Sequence, residues 1–199
     1  AGPYGQELRE VLEAYCFFRP DVGYVQGMSF QAAVMLIHCK DAGSAFMCLA
    51  NVLSRPLFLS MYRSEEALLG PRLDLFDLVF AANCPSLGRH LEALEAVPRN
   101  CALTWFTSFF AKPLPLPLTA LVWDHVFVEG EMYMYRAAVG ILKVLSARLL
   151  EMDQEAALGL MLGRLDGHLP DPAIVIEVMN QVKVPDKAQA LFDRISKLR

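Results

Sequence analysis

Two stretches of this sequence combine polar and aromatic residues in ways that could support chemistry. The first is Arg19-Pro20-Asp21-Val22-Gly23-Tyr24-Val25-Gln26-Gly27-Met28, a polar, glycine-containing loop that leads straight into the most apolar segment of the chain. A glutamine held at the rigid edge of such a loop can orient a water molecule, accepting one hydrogen bond through its carbonyl and donating another through its amide nitrogen. The same Gln26 can instead cap a helix that starts near Met28, and spacing leaves both roles open. The second stretch runs from Trp105-Phe106 through Leu114-Pro115-Leu116 to Leu121-Val122-Trp123-Asp124, then Phe127, Glu129 and Gly130. Aromatics at that spacing suit a core more readily than a binding surface, and Asp124 beside Trp123 suits a structural hydrogen-bond acceptor.

Other chemistry finds little support. The sequence has no Gly-x-x-x-x-Gly-Lys phosphate loop, no Gly-x-Gly-x-x-Gly, no Gly-x-Ser-x-Gly and no His-Glu-x-x-His. His38, His90, His125 and His168 are scattered without metal-ligand spacing, so no metal site is expected. The cysteines Cys16, Cys39, Cys48, Cys84 and Cys101 are odd in number, and no two stand as Cys-x-x-Cys. They read as free thiols of a reducing compartment rather than a disulfide framework.

The elements that must position these stretches are helical. Leu8, Val11, Leu12, Tyr15 and Cys16 follow one helix face, and that helix should stop before Arg19-Pro20 because a residue preceding proline is pushed out of the α region. A helix over 29–39, capped by Ser29, is apolar on nearly all sides and should be among the most buried elements. Further helices are expected over 44–53, over 64–82 with Ser64 as cap and Pro71 as a break or kink, over 86–96 and over 100–111. Others should span 118–128 closed by Gly130, 131–151 and 153–165. Asp171-Pro172 and Asp186-Lys187-Ala188-Gln189 supply the start signals of the last two. No alternating apolar and polar run suggests a strand. The expectation is all-α, roughly ten helices in one domain without a linker or an internal repeat.

Composition agrees. The 199 residues are 55 % hydrophobic and 20 % charged, ample for a core, which excludes a disordered chain. The net charge is −4 and no basic run exists, which argues against binding a nucleic-acid backbone. The longest stretch without a formal charge, 22–39, is 18 residues long and contains Gln26, Ser29, Gln31 and His38. It is too short and too polar for a membrane span, which needs about 20 apolar residues.

Together the two stretches resemble the TBC domain, the all-helical module of activators of Rab-family small GTPases. Val-Gly-Tyr-Val-Gln-Gly-Met at 22–28 is similar to the family's Tyr-x-Gln-Gly motif. Trp105 to Leu116 followed by Trp123-Asp124 is similar to the motif that ends in Arg-x-Trp-Asp. The resemblance implies that Gln26 is a glutamine finger acting on the partner's GTP, with Tyr24, Gly27 and Arg19 supporting its loop. It implies that Trp105, Phe106, Pro115, Trp123 and Asp124 belong to the GTPase-binding motif region. The chain would need no cofactor of its own, since GTP and Mg²⁺ arrive on the partner. The setting implied is vesicle trafficking, in the cytoplasm and peripheral to endomembranes. The family's arginine finger lies in an Ile-x-x-Asp-x-x-Arg motif that is not among the 25 residues before Gln26, so 1–199 reads as the C-terminal two-thirds of the domain. A TBC-like binding module without catalysis is the alternative. Leu121 stands where the family usually has arginine, which removes a tether rather than a catalytic group.

Overall fold

The helical spacing is realised throughout the computed structural model, which describes residues 4–63 and 66–197. These contain twelve helices and no strand. The first four are α1 (Gly5–Phe18), α2 (Met28–Cys39), α3 (Ala42–Leu53) and α4 (Pro56–Tyr62). They are followed by α5 (Glu66–Asn83), α6 (Pro85–Ala93), α7 (Pro98–Thr107) and α8 (Leu116–Glu129). The chain closes with α9 (Met132–Leu149), α10 (Gln154–Leu162), α11 (Pro172–Asn180) and α12 (Asp186–Ile195).

The centre is α9. Tyr133, Met134, Tyr135, Ile141, Leu142 and Leu145 are all buried along it, and α5, α7, α8 and α11 pack around it. Gly140 lets α11 come close: a Cβ there would lie 2.9 Å from the Cα of Met179. α1, α2 and α3 pack on one another at one side of the molecule.

Several starts differ from expectation. Gly27, not Ser29, is the N-cap of α2, and Ser29 lies inside the first turn. As expected, α2 is among the more buried helices, with six of its twelve residues buried, although Phe30 and Ile37 on its outer side are exposed. α3 starts at Asp41, whose carboxylate accepts from the amides of Gly43 and Ser44. Arg55-Pro56 ends one helix and, with proline at N1, opens another, α4. α5 continues through Pro71, while the Ser64 cap lies outside the described residues. Asp171 caps α11 as expected, but the capping box at 186–189 does not form: Pro185 is the N-cap and Asp186 belongs to the first turn.

Candidate functional site

The loop between α1 and α2 is built in three steps. α1 closes where the amide of Arg19 donates to the Tyr15 carbonyl at 2.8 Å. The Arg19 guanidinium then grips both carboxylate oxygens of Asp21 at 2.8 Å, and Arg63 donates to the same carboxylate from the end of α4. Arg19 first and Arg63 second hold the Asp21 carboxyl well below the usual carboxylate range. The amides of Val22 and Gly23 both turn back to the Arg19 carbonyl. From this anchored turn the chain crosses Tyr24, Val25 and Gln26 to Gly27.

Gly27 fixes where the loop ends. Its φ is +113°, and a Cβ on it would lie 2.9 Å from the carbonyl oxygen of Thr107. Only glycine combines that dihedral with that approach. The Thr107 carbonyl is also the acceptor of a buried polar node. Gln31, one turn into α2, donates to it at 2.7 Å, and the hydroxyl of Tyr62 donates to it at 2.8 Å. Gln31 also donates to the Tyr62 oxygen. Beyond Thr107 the chain takes a tight turn in which Phe109 and Phe110 sit at φ +49° and +62°. Such left-handed bulky residues persist only where their surroundings over-determine them. Here the Trp123 indole donates to the Phe109 carbonyl at 2.6 Å and stacks on its ring at 4.6 Å. The amide of Phe110 donates to the Trp105 carbonyl at 2.7 Å. The two stretches singled out in the sequence therefore meet, backbone against backbone.

At the top of this joint Gln26 is exposed. Its amide bonds to no described residue, and α2 has no side-chain cap. The capping alternative is thus not what the side chain does.

A profile of the Rab-GTPase-TBC domain matches residues 2–150. The chain belongs to the Rab-GTPase-TBC domain family. It is 39 % identical over 152 residues to TBC1 domain family member 12 of Xenopus tropicalis, covering 76 % of this chain and 22 % of that protein. To human TBC1 domain family member 14 it is 37 % identical over the same shares. To Drainin of Dictyostelium discoideum it is 34 % identical, across 80 % of this chain and 36 % of that one. The chain thus spans well under half the length of these relatives. Among solved structures it is similar to the Chlamydomonas flagellar RabGAP TBC domain, with a TM-score of 0.72 and 25 % identity over 90 % of this chain and 60 % of that one.

Within this TBC domain the remaining motif residues divide into a supporting layer and a separate surface. Trp105 and Phe106 are both 1 % exposed. The Trp105 indole donates to the Met161 carbonyl of α10 at 3.0 Å, and Phe106 packs edge-on against Phe76, Phe110 and Tyr135. Trp123 is buried as well. These three offer no surface to a partner, and they act by holding the 107–111 turn. Half-buried Pro115 is the N-cap of α8. Tyr24 is 54 % exposed and reaches the Ser29 hydroxyl at 3.3 Å, so it braces the loop against the first turn of α2 rather than burying itself.

Asp124 is exposed and bonds to no described residue, so it is not the structural acceptor expected. Leu121 stands one turn earlier on α8, where an arginine could pair with it at i, i+3. Asp124 lines a cavity of about 550 Å³ between α2, α3 and α8, together with Cys39 at the last residue of α2. Twelve residues of α2 at about 1.5 Å rise put that cavity about 18 Å from the Gln26 end of the helix. Sequence reasoning missed the node residues Gln31, Tyr62 and Thr107 and the Asp21–Arg63 pair. Gln31 alone carried a signal, a lone amide in an apolar helix.

Proposed function

We propose that this TBC domain accelerates GTP hydrolysis by a Rab-family small GTPase, with Gln26 orienting the attacking water. The observation that supports this most directly is an exposed glutamine whose amide is unengaged while the backbone beneath it is clamped. Asp21 tethers the loop on one side and the Gly27–Thr107 contact closes it on the other. A side chain held on so fixed a base needs little reordering to present its carbonyl and amide to a water. The nucleotide and its Mg²⁺ are carried by the partner, so the chain contributes groups in trans and turns over no substrate of its own.

A catalytic arginine is the other half of such machinery, worth about 10³–10⁵ in rate. Arg9 is paired with Glu13 on the exposed face of α1 and Arg19 with Asp21. Neither is free to act, and the family resemblance implies that the arginine stands in an Ile-x-x-Asp-x-x-Arg motif upstream of the Tyr-x-Gln-Gly loop. The protein works in vesicle trafficking, cytoplasmic and peripheral to endomembranes through other regions or partners. A second possibility, a binding module without catalysis, draws support from Leu121 in place of the arginine of the family's Arg-x-Trp-Asp motif.

The experiment is single-turnover phosphate release from a panel of GTP-loaded Rabs, using a longer protein that carries the upstream motif. Gln26→Ala should lower the acceleration by roughly 10²-fold, about 2.7 kcal/mol of transition-state stabilisation, with its melting unchanged. Full acceleration by Gln26→Ala on a responsive Rab would refute the water-orienting role. Tight binding of a Rab without any acceleration would establish the binding module instead.

A further inference from the structure

The fold sorts the five cysteines into three kinds. Cys84 and Cys101 are buried, and burial pushes their thiols up to about 11 and about 12. Cys16 is half-buried on α1, with no second cysteine within bonding reach among the described residues. Cys39 and Cys48 form the third kind, a pair whose sulfurs lie 4.0 Å apart.

The pairing follows from the turn between α2 and α3. Lys40 closes α2 in the left-handed region at φ +58°, and Asp41 starts α3 by accepting from Gly43 and Ser44. Two residues thus reverse the chain, and α3 lies back along α2 with Cys48 facing Cys39. Both line the 550 Å³ cavity that opens to solvent between α2, α3 and α8. A disulfide needs the sulfurs at about 2.05 Å, so they have about 2 Å to close. The two thiols are unequal. Cys48 is exposed, whereas Cys39 is half-buried. Burial first, then the neighbouring Cys48 and Asp41, raises the Cys39 thiol. A small oxidant therefore meets Cys48 first, and Cys39 stands behind it.

We propose that Cys39 and Cys48 are a dithiol modification site, at which a hydroperoxide oxidises Cys48 and Cys39 then closes an intramolecular disulfide. In the first step the Cys48 sulfur attacks the peroxide, the O–O bond breaks, an alcohol or water leaves, and Cys48 becomes a sulfenic acid. In the second the Cys39 sulfur attacks the Cys48 sulfur, the S–O bond breaks, and water leaves with the Cys39 proton. Two electrons pass from the sulfur pair to the peroxide oxygens. The product staples the C-terminus of α2 to α3 and draws in the cavity wall opposite Trp123 and Asp124. The site is independent of any action on a GTPase.

The test is hydrogen peroxide treatment of the purified chain, followed by mass spectrometry without reductant. The wild-type mass should fall by two hydrogens. Trypsin cuts after Lys40 and so separates the two cysteines, and peptides 10–40 and 41–63 should remain joined until reductant is added. Peptide 10–40 also holds Cys16, so the joined pair should persist in Cys16→Ser and vanish in Cys39→Ser. Dimedone, which traps sulfenic acids, should label Cys48 at least about tenfold more in Cys39→Ser than in wild type, because a tethered thiol competes at an effective concentration near millimolar. Phenylarsine oxide, which condenses with two thiols and releases water, should load wild-type protein with one equivalent, a readout that needs no variant. Any of three results would overturn the site: a link that persists in Cys39→Ser, equal dimedone labelling in the two proteins, or no arsenical uptake by the wild type.

Discussion

Replacing Gly27 by alanine should destabilise the domain by about 3 kcal/mol, and the reasons are local. A non-glycine residue held at a sparsely populated positive φ costs of order 1–3 kcal/mol, and Gly27 sits at +113°. The added methyl would meet the Thr107 carbonyl oxygen at 2.9 Å and its carbon at 3.1 Å. Both are backbone atoms that cannot swing aside as a flexible side chain would. Moving that carbonyl also stretches the bonds it accepts from Gln31 and Tyr62 at 2.7 and 2.8 Å. Overpacking of this kind costs typically 1–3 kcal/mol. Against these, removing a glycine stabilises by about 0.4–1 kcal/mol through the unfolded chain. At about 2–4 °C per kcal/mol for a domain of this size, the midpoint of thermal unfolding should fall by about 6–12 °C. Circular dichroism melts of wild type, Gly27→Ala and Gln26→Ala at one protein concentration would decide it. Gln26→Ala, one residue away but exposed, should stay within about 0.5 kcal/mol of wild type. A Gly27→Ala midpoint within 2 °C of wild type would refute the claim that this glycine is dictated by the Thr107 contact.

Three further outcomes follow from the geometry. Tyr62→Phe removes one bond to the Thr107 carbonyl and an acceptor for Gln31, and should cost about 1–2 kcal/mol in urea unfolding; no change would mean the node is not holding the turn. Leu121→Arg gives Asp124 an i, i+3 partner on α8 and should add about 0.2–0.5 kcal/mol. That gain should vanish in about 1 M salt, and its survival there would exclude the ion pair as its source. Above pH 9 the domain should lose stability as pH rises, because the unfolded Cys101 thiol ionises near about 8.5 while burial keeps the folded one protonated up to about 12. The native state then holds more protons than the unfolded state, so unfolding free energy falls with pH. Cys101→Ala should reduce that slope by about 1.4 kcal/mol per pH unit, and an unaltered slope would contradict the assignment.

What could be read in advance and what could not divide along sequence distance. α1 ends at Phe18 because Arg19 precedes proline, and α11 starts at Asp171-Pro172 because a cap and a pre-set φ coincide. Each is a decision taken within four residues, where side-chain and backbone sterics act alone. The polar, glycine-containing loop was legible for the same reason, since Gly23 and Gly27 both carry the positive φ their residue type allows. The contact that makes the loop a site was not. Gln31 and Thr107 are separated by 76 positions and Tyr62 and Thr107 by 45, and no local rule reports which carbonyl a buried amide will meet. The depth of α2 was legible in its apolar run, but the exposed Phe30 and Ile37 face was not, because hydropathy counts apolar side chains and does not count the elements that arrive to cover them. The aromatic stretch shows the same division in one segment. Trp105, Phe106 and Trp123 carry the motif's identity, yet they are buried, and what they determine is the strained Phe109–Phe110 turn on which the Thr107 carbonyl depends. The motif is thus spelled by its supports, while Gln26, the residue the supports present, carries no packing signal because it is exposed and its side chain bonds to no described residue.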